Sequence, residues 1–534
     1  MKTAQDIQAA CACASGRLPG SILRLFLLLA LTACILQAAV IRGTAVEHYT
    51  GKYLARVVVT AQPIGNTAGG PISTRTNVSG LFEFSALPAG AYVVKASRLG
   101  FMPVEYGQKR WNSAGLPVTL EEAGTAFLAL RLPRWGAISG TVVDENDIGL
   151  PEHEVAAYRN TRPPQLVARV KSDERGVYRI SGLEPGVYLV RTTGAQYEEG
   201  TYLPTFSKES IPVENARFVE VDLDQQVNNM DVRPLLGKLF TVSGIVTTDP
   251  PNPQPPDPPP PSTLVTIATD MGRQNLVVNG PFGAFRFTAL SPGPYEIYAQ
   301  APADNDPQYK LQGWYVSSNL VADTIHKMTN LVTREVTFEF RGAPPRALES
   351  GAMQLLARRK DFAGEGPIEV VKPVNNRVPV PVGRWEFMLV PPAGYYVASF
   401  LGRMQSRGDK SRADGWNEVR VTGSGDYLRY TLSGNPSTLS GVVKNGSEPA
   451  IGAPVFLEAW DPVTRQRLLD LRSTLTDMRG RYSFKDVAPG TYRVLATFEY
   501  RTPDSAALDA AAAPTIRIEQ QGDQQRDLDL YVIQ

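Results

Sequence analysis

The stretch DERGVYRISGLEPGVYLV, Asp173 to Val190, holds two glycine-x-tyrosine steps, Gly176/Tyr178 and Gly186/Tyr188. Tyr178 and Ile180 alternate with Arg179, the period of two that marks a strand with one buried face. Leu183–Gly186 reads as a turn. Proline presets φ near −65° at the first central position, and glycine takes the positive φ that a type II turn needs next. Val187–Val190 then starts a return strand. The arrangement Leu-x-Pro-Gly-x-Tyr also suits a tyrosine corner, in which the hydroxyl folds back onto upstream backbone of a Greek-key sandwich.

The phrase recurs. It appears as SGLFEFSALPAGAYVV (Ser79–Val94), FGAFRFTALSPGPYEI (Phe282–Ile297), VGRWEFMLVPPAGYYV (Val382–Val397) and RGRYSFKDVAPGTYRV (Arg479–Val494). Its leading glycines, Gly80, Gly176, Gly283, Gly383 and Gly480, are spaced about a hundred residues apart, and each is followed by an aromatic. Its trailing glycines, Gly90, Gly186, Gly293, Gly394 and Gly490, are each followed by a tyrosine. Regular self-similarity of this kind is the signature of a repeat protein. An upstream landmark accompanies four of the five copies: VIRGTA from Val40, ISGTVV from Ile138, VSGIVT from Val242 and LSGVVK from Leu439. The fourth copy keeps only a following strand, AMQLLARR (Ala352–Arg359). Buried rings at a turn-plus-core spacing are filling between sheets rather than a ligand ladder.

The expected architecture is all-β: a tandem array of five immunoglobulin-like or prealbumin-like Greek-key β-sandwich modules behind an N-terminal signal segment. The boundaries fall at 1–38 (signal), 39–134, 135–237, 238–343, 344–434 and 435–534. The proline tract DPPNPQPPDPPPPS (Asp249–Ser262) is expected to form a solvated polyproline II loop in the third module. Together 46 glycines and 43 prolines make about a sixth of the chain, which suits an all-β protein dense in turns. The best helix candidate is SAALDAAAAP (Ser505–Pro514).

Lys2, Arg17 and Arg24 precede the apolar run LFLLLALTACIL (Leu25–Leu36), too short to span a bilayer but suited to export. Two readings compete. LTAC (Leu31–Cys34) fits a lipobox, with a lipid on Cys34 as the membrane attachment, and LQAA (Leu36–Ala39) fits ordinary signal cleavage. All three cysteines, Cys11, Cys13 and Cys34, lie in this segment, so each module has to be held by its apolar core. The expected location is extracytoplasmic: secreted, periplasmic or on the cell surface.

With a formal net charge of +1, nothing attracts nucleic acid electrostatically. The three histidines, His48, His153 and His326, fall in different modules and are expected in exposed strands or loops. No zinc-protease, nucleophile-elbow or cysteine-cluster motif occurs. DENDIG (Asp144–Gly149) reads as a turn, since the glutamate that closes an EF-hand loop is missing. No catalytic residue, metal or cofactor is expected. Aromatics gather after each trailing tyrosine: Phe101, Tyr106 and Trp111; Tyr197, Tyr202 and Phe206; Tyr309, Trp314 and Tyr315; Trp416. Such rings either pack the ends of the sandwiches or stack on sugar faces. Trp111, Trp314 and Trp416 are the candidates for stacking.

The text ISGTVVDENDIGLPEHEVAAY…KSDERGVYRISGLEPGVYLV and LSGVVKNGSEPAIGAPVFLEAW…TDMRGRYSFKDVAPGTYRV resembles bacterial carboxypeptidase regulatory-like repeats. These are also called transthyretin-like or carbohydrate-binding-like sandwich domains. The resemblance implies a sandwich of about seven strands, an extracytoplasmic setting and no catalysis of its own. Related collagen-adhesin modules form Lys–Asn isopeptide bonds with the help of a glutamate after the last tyrosine. Here Ala96, Thr192, Ala299, Phe400 and Ala496 stand at that offset, so no such crosslink is expected. The functional expectation is a non-enzymatic binding or adhesive protein for polysaccharide or a cell-surface protein. A structural spacer without its own ligand is the alternative, and an enzyme with an unrecognised carboxylate site is a third.

Overall fold

The computed structural model describes residues 39–533 except 66–68, 199, 249–261, 280–281, 304–311, 330, 334, 342–352, 374–376, 403–411, 423–425 and 520–521. Cys34, Tyr309 and almost all of the proline tract therefore lie outside the described residues. Within them, strands dominate, and five large clusters of buried apolar side chains follow one another along the chain. They span residues 39–132, 138–232, 242–331, 353–432 and 439–528. The fold is a tandem series of β-sandwiches.

The second sandwich shows the plan. Its first strand, Gly136–Thr141, pairs antiparallel with the leading strand Val177–Leu183 and parallel with Gln226–Val227. The opposite sheet runs Gln165–Lys171, Glu154–Arg159, Gly186–Thr192, Phe218–Val221. The two halves of the repeated phrase therefore lie in different sheets. This corrects the hairpin expected from the sequence: LEPG carries the chain across the sandwich instead of returning it along the same sheet. Gly186 has φ +156°, not the roughly +80° that closes a type II turn. Gly90, Gly293 and Gly490 share that extended-side conformation at +152°, +140° and +154°. The crossing is tied down by the next aromatic. Tyr92, Tyr188 and Tyr492 each donate from the hydroxyl to the carbonyl four residues upstream, at 2.8, 2.6 and 2.7 Å.

The fourth sandwich obeys the same plan in a different register from the one expected. Gly383 has φ +140°, Gly383–Val390 pairs with Gln354–Asp361, and Trp385 Nε1 donates to the Pro381 carbonyl four residues back at 2.9 Å. VGRWEFML is thus the trailing strand, not the leading one. The leading place is taken by Arg377–Pro379, which pairs with Glu335–Arg341. That last strand also runs parallel to Tyr427–Gly434, so the fourth unit begins upstream of the expected boundary at 344. Its sequence, EVTFEFR, lacks the small glycine landmark and gave no signal.

The landmark glycines have a packing reason. A Cβ on Gly43 would lie 2.7 Å from the Phe82 ring, and one on Gly244 2.7 Å from the Phe285 ring. In both cases it would also collide with a carbonyl of the closing strand, Leu128 or His326. The glycine lets the leading aromatic lie flat across the first strand, an arrangement that compensates the packing glycine cannot supply.

Neighbouring sandwiches touch through specific contacts. Asp224 N of the second donates to the carbonyl of Arg134, at the end of the first, at 3.2 Å. Met271 of the third packs beside Leu189 and Phe206 of the second. Arg273 of the third grips Asp361 of the fourth at 2.7 Å. Arg412 of the fourth donates to Tyr492 of the fifth at 2.9 Å. The fifth then meets the first: Ala114 N donates to the Phe498 carbonyl at 2.7 Å, and Arg501 N to the Asn112 carbonyl at 3.0 Å. The five sandwiches close on themselves.

Candidate binding crevice

Of the three tryptophans singled out in the sequence, Trp111 lines a cavity. Trp314 is half-buried against the third core, its ring 5.6 Å edge-on from His326. Trp416 lies beneath the Arg358 guanidinium at 4.2 Å, with Nε1 buried and unpaired. The three rings sit in three different sandwiches. The other aromatics of those segments are mostly core: Tyr202 and Phe206 are fully buried, and Phe101 packs between Arg98 and Arg134.

The Trp111 loop is built from the strand pair upward. Val104–Glu105 pairs with Lys95–Ala96, and Gly107, at φ +73°, turns the chain where a Cβ would strike Leu116 at 2.7 Å. Gln108 accepts from Glu105 N at 2.9 Å and donates to the Trp111 carbonyl at 2.6 Å. Ser113 Oγ accepts from the backbone of Lys109 and Arg110 at 3.2 and 3.0 Å. Glu105 Oε2 takes the Gly115 N–H at 2.9 Å. Beside this loop opens a crevice of about 360 Å³, lined among others by His48, Met102, Tyr106, Arg110, Trp111 and Arg131. Arg110 and Arg131 are exposed, and among the described residues neither guanidinium has an ion-pair partner. Aromatic rings beside free cations can hold the C–H face of a sugar and an acidic substituent together.

Among the described residues no group of three or more His, Cys, Asp or Glu converges in a way that could hold a metal ion. Several buried carboxylates are paired with arginines. Glu458 meets Arg493 and Arg467 at 2.5 Å, Glu386 meets Arg358 at 2.6 Å, and Asp361 meets Arg273 at 2.7 Å. Asp144 accepts from the backbone of Asn146 and Ile148 at 2.9 and 2.7 Å, the geometry of a turn. His48 is exposed as expected, and His326 is half-buried with Nε2 2.9 Å from the Tyr295 hydroxyl. His153 is corrected: it is buried, with Nδ1 3.0 Å from the Tyr197 hydroxyl and Nε2 3.2 Å from the Thr193 carbonyl. Burial pushes its imidazole below the ordinary range, opposed by the Thr193 carbonyl and the charge of Glu154. Nothing in the local text HEV distinguishes a buried histidine from an exposed one.

The residues that sequence reasoning missed come from the fifth sandwich. Arg501 Nη2 lies 2.6 Å from Glu105 Oε1, and its Nε donates to the Ser113 carbonyl at 3.3 Å. Lys109 Nζ stands 3.4 Å from Glu499 Oε1. A contact spanning 388 positions leaves no local pattern to read.

Residues 40–131 and 137–229 each match the carboxypeptidase regulatory-like domain, two copies in tandem. No curated protein matches the chain in sequence. Among solved structures, the TIE protein of Bacillus anthracis aligns over 55% of this chain and 50% of its own, at 17% identity and a TM-score of 0.18. The minor pilin of Streptococcus agalactiae aligns over 37% and 95%, at 16% identity and a TM-score of 0.24. The major pilin subunit of Bacillus cereus aligns over 74% and 99%, at 10% identity and a TM-score of 0.13. Scores this low carry no conclusion about arrangement or role. No helix among the described residues is long and apolar enough to cross a membrane.

Proposed function

We propose that this chain, with its two carboxypeptidase regulatory-like domains in tandem, is an exported, non-enzymatic adhesive protein that holds polysaccharide in the Trp111 crevice. The observation that carries the reading is the company Trp111 keeps. Its ring lines a cavity, and Tyr106, Arg110 and Arg131 line the same space. The two free guanidiniums favour chains bearing carboxylates, which they meet as planar donors. Because the loop is held from within by Gln108 and Ser113 and from the fifth sandwich by Arg501, little ordering cost falls on the bound state. Location outside the cytoplasm is supported by the apolar run Leu25–Leu36 behind its basic residues.

Retention on a panel of immobilised cellulose, xylan, chitin and polygalacturonate tests this. The protein is expected to be held most strongly by polygalacturonate and released by salt, and Trp111→Ala to be held several-fold less. Equal passage of the wild type and Trp111→Ala over every matrix would overturn it. A spacer role is the second reading, and the packed positions of Trp314 and Trp416 favour it. It predicts that no matrix retains the protein.

A further inference from the structure

The crevice belongs to the first sandwich, yet its loop is gripped by the fifth. Five contacts converge on residues 105–114 from the segment 498–501. The Ala114 N–H reaches the Phe498 carbonyl, and the Arg501 N–H reaches the Asn112 carbonyl. The Arg501 guanidinium bridges Glu105 Oε1 and the Ser113 carbonyl. Lys109 stands over Glu499, whose carboxylate is buried and whose Oε2 has no hydrogen-bond partner. The backbone bonds are between segments of two different sandwiches, so they exist only while the first and last units are docked. Glu105 is the pivot. One of its oxygens holds Gly115 N inside the loop and the other holds Arg501 outside it.

We infer that this docking is a latch: Arg501 positions the loop 105–116 for the ligand of the crevice and closes the five sandwiches into a ring. The ligand part rests on the function proposed above, whereas the latch stands on the contacts alone. Closed and open forms would differ in how well residues 105–116 are held, so a ligand gripped by the held loop favours the ring. The same coupling run backwards means that opening the ring weakens binding. Arg501 is a positioning residue, acting through Glu105 and the 112–114 backbone without lining the crevice.

Arg501→Ala and Arg501→Lys tested against wild type, with Arg517→Ala as the control, decide the matter. Arg517 is exposed on the same sandwich and pairs only locally with Glu519. Two readouts are needed: amide hydrogen exchange over residues 105–116, and affinity for soluble polygalacturonate. Arg501→Ala is expected to speed exchange in the loop about ten-fold and weaken affinity about five-fold or more. Arg501→Lys should recover part of both, because it restores the charge opposite Glu105, and Arg517→Ala should change neither. Unchanged exchange in Arg501→Ala would overturn the latch, since the loop would then be holding itself through Gln108 and Ser113. Freer exchange with unaltered affinity would overturn the coupling to ligand while leaving the proposed crevice intact. If wild type fails to bind polygalacturonate, the ligand reading falls, and the exchange result alone decides the latch.

Discussion

Gly140 and Tyr178 are register partners across the first and leading strands of the second sandwich. The tyrosine passes over the glycine to donate its hydroxyl to the Met230 carbonyl on the far side. The same pairing recurs as Gly43 with Phe82, Gly244 with Phe285 and Gly441 with Tyr482. Two sequence landmarks that lie more than thirty-five positions apart are thus one structural unit, a ring laid over a strand that has no side chain at that point.

The pairing makes Gly140 intolerant of a methyl group, which would meet the Met230 carbonyl and the Asp231 amide. Gly140→Ala should destabilise the second sandwich by about 1–3 kcal/mol through overpacking. Tyr178→Phe should cost about 1–3 kcal/mol by leaving the Met230 carbonyl without its donor. Urea unfolding of the protein, followed by exchange in residues 136–232, checks both. A neutral Gly140→Ala would mean the strands separate easily there.

His153 gives the second sandwich an acid-sensitive point. Its folded-state pKa is depressed, chiefly by burial, so the unfolded chain binds the proton more readily. The histidine's contribution is fully present above the unfolded value of about 6.5 and is lost as pH falls below it toward the depressed folded value. Melting of the second sandwich should therefore drop between pH 7 and pH 5. In His153→Gln that part of the dependence should vanish. An equal drop in the variant would assign it to other groups.

Between the third and fourth sandwiches, the side chain of Asp361 is wholly buried and accepts from Arg273 Nε and Nη2 and from the Tyr298 hydroxyl at 3.0 Å. Arg273→Ala removes two of the charge-assisted hydrogen bonds that hold that buried carboxylate and should destabilise the joint by about 3–5 kcal/mol. The double change Arg273→Met with Asp361→Leu should cost far less, because neither charge is then stranded. Limited proteolysis near residues 361–366 reads the difference.

Trp314→Ala and Trp416→Ala should act on stability and not on polysaccharide retention, since one ring packs on a core and the other lies under Arg358. Loss of retention in either, with unchanged melting, would place the ligand somewhere other than the Trp111 crevice.

The sandwiches were legible because leading strands such as Val177–Leu183 alternate buried and exposed side chains and each crossing needs a glycine and a ring at fixed offsets. The fourth unit misled for a physical reason. VGRW supplies a glycine and a ring, and PPAGYY supplies them again shortly after, so the phrase fits one strand too late. Only the strand pairing of Gly383–Val390 with Gln354–Asp361 resolves it. The hairpin reading of LEPG failed because sequence shows that a chain bends, not which sheet it enters next. Of the candidate site, Trp111 was visible as an aromatic in a loop. Arg110 and Arg131 were ordinary surface charges until the fold set them beside it, and Arg501 comes from the far end of the chain.

The closure of the first sandwich onto the fifth is the claim on which the latch turns, and small-angle scattering measures it directly. A ring should give a radius of gyration not far above the roughly 23 Å of a single compact body of this length. A value about twice that, as five sandwiches strung out in a line would give, would contradict it.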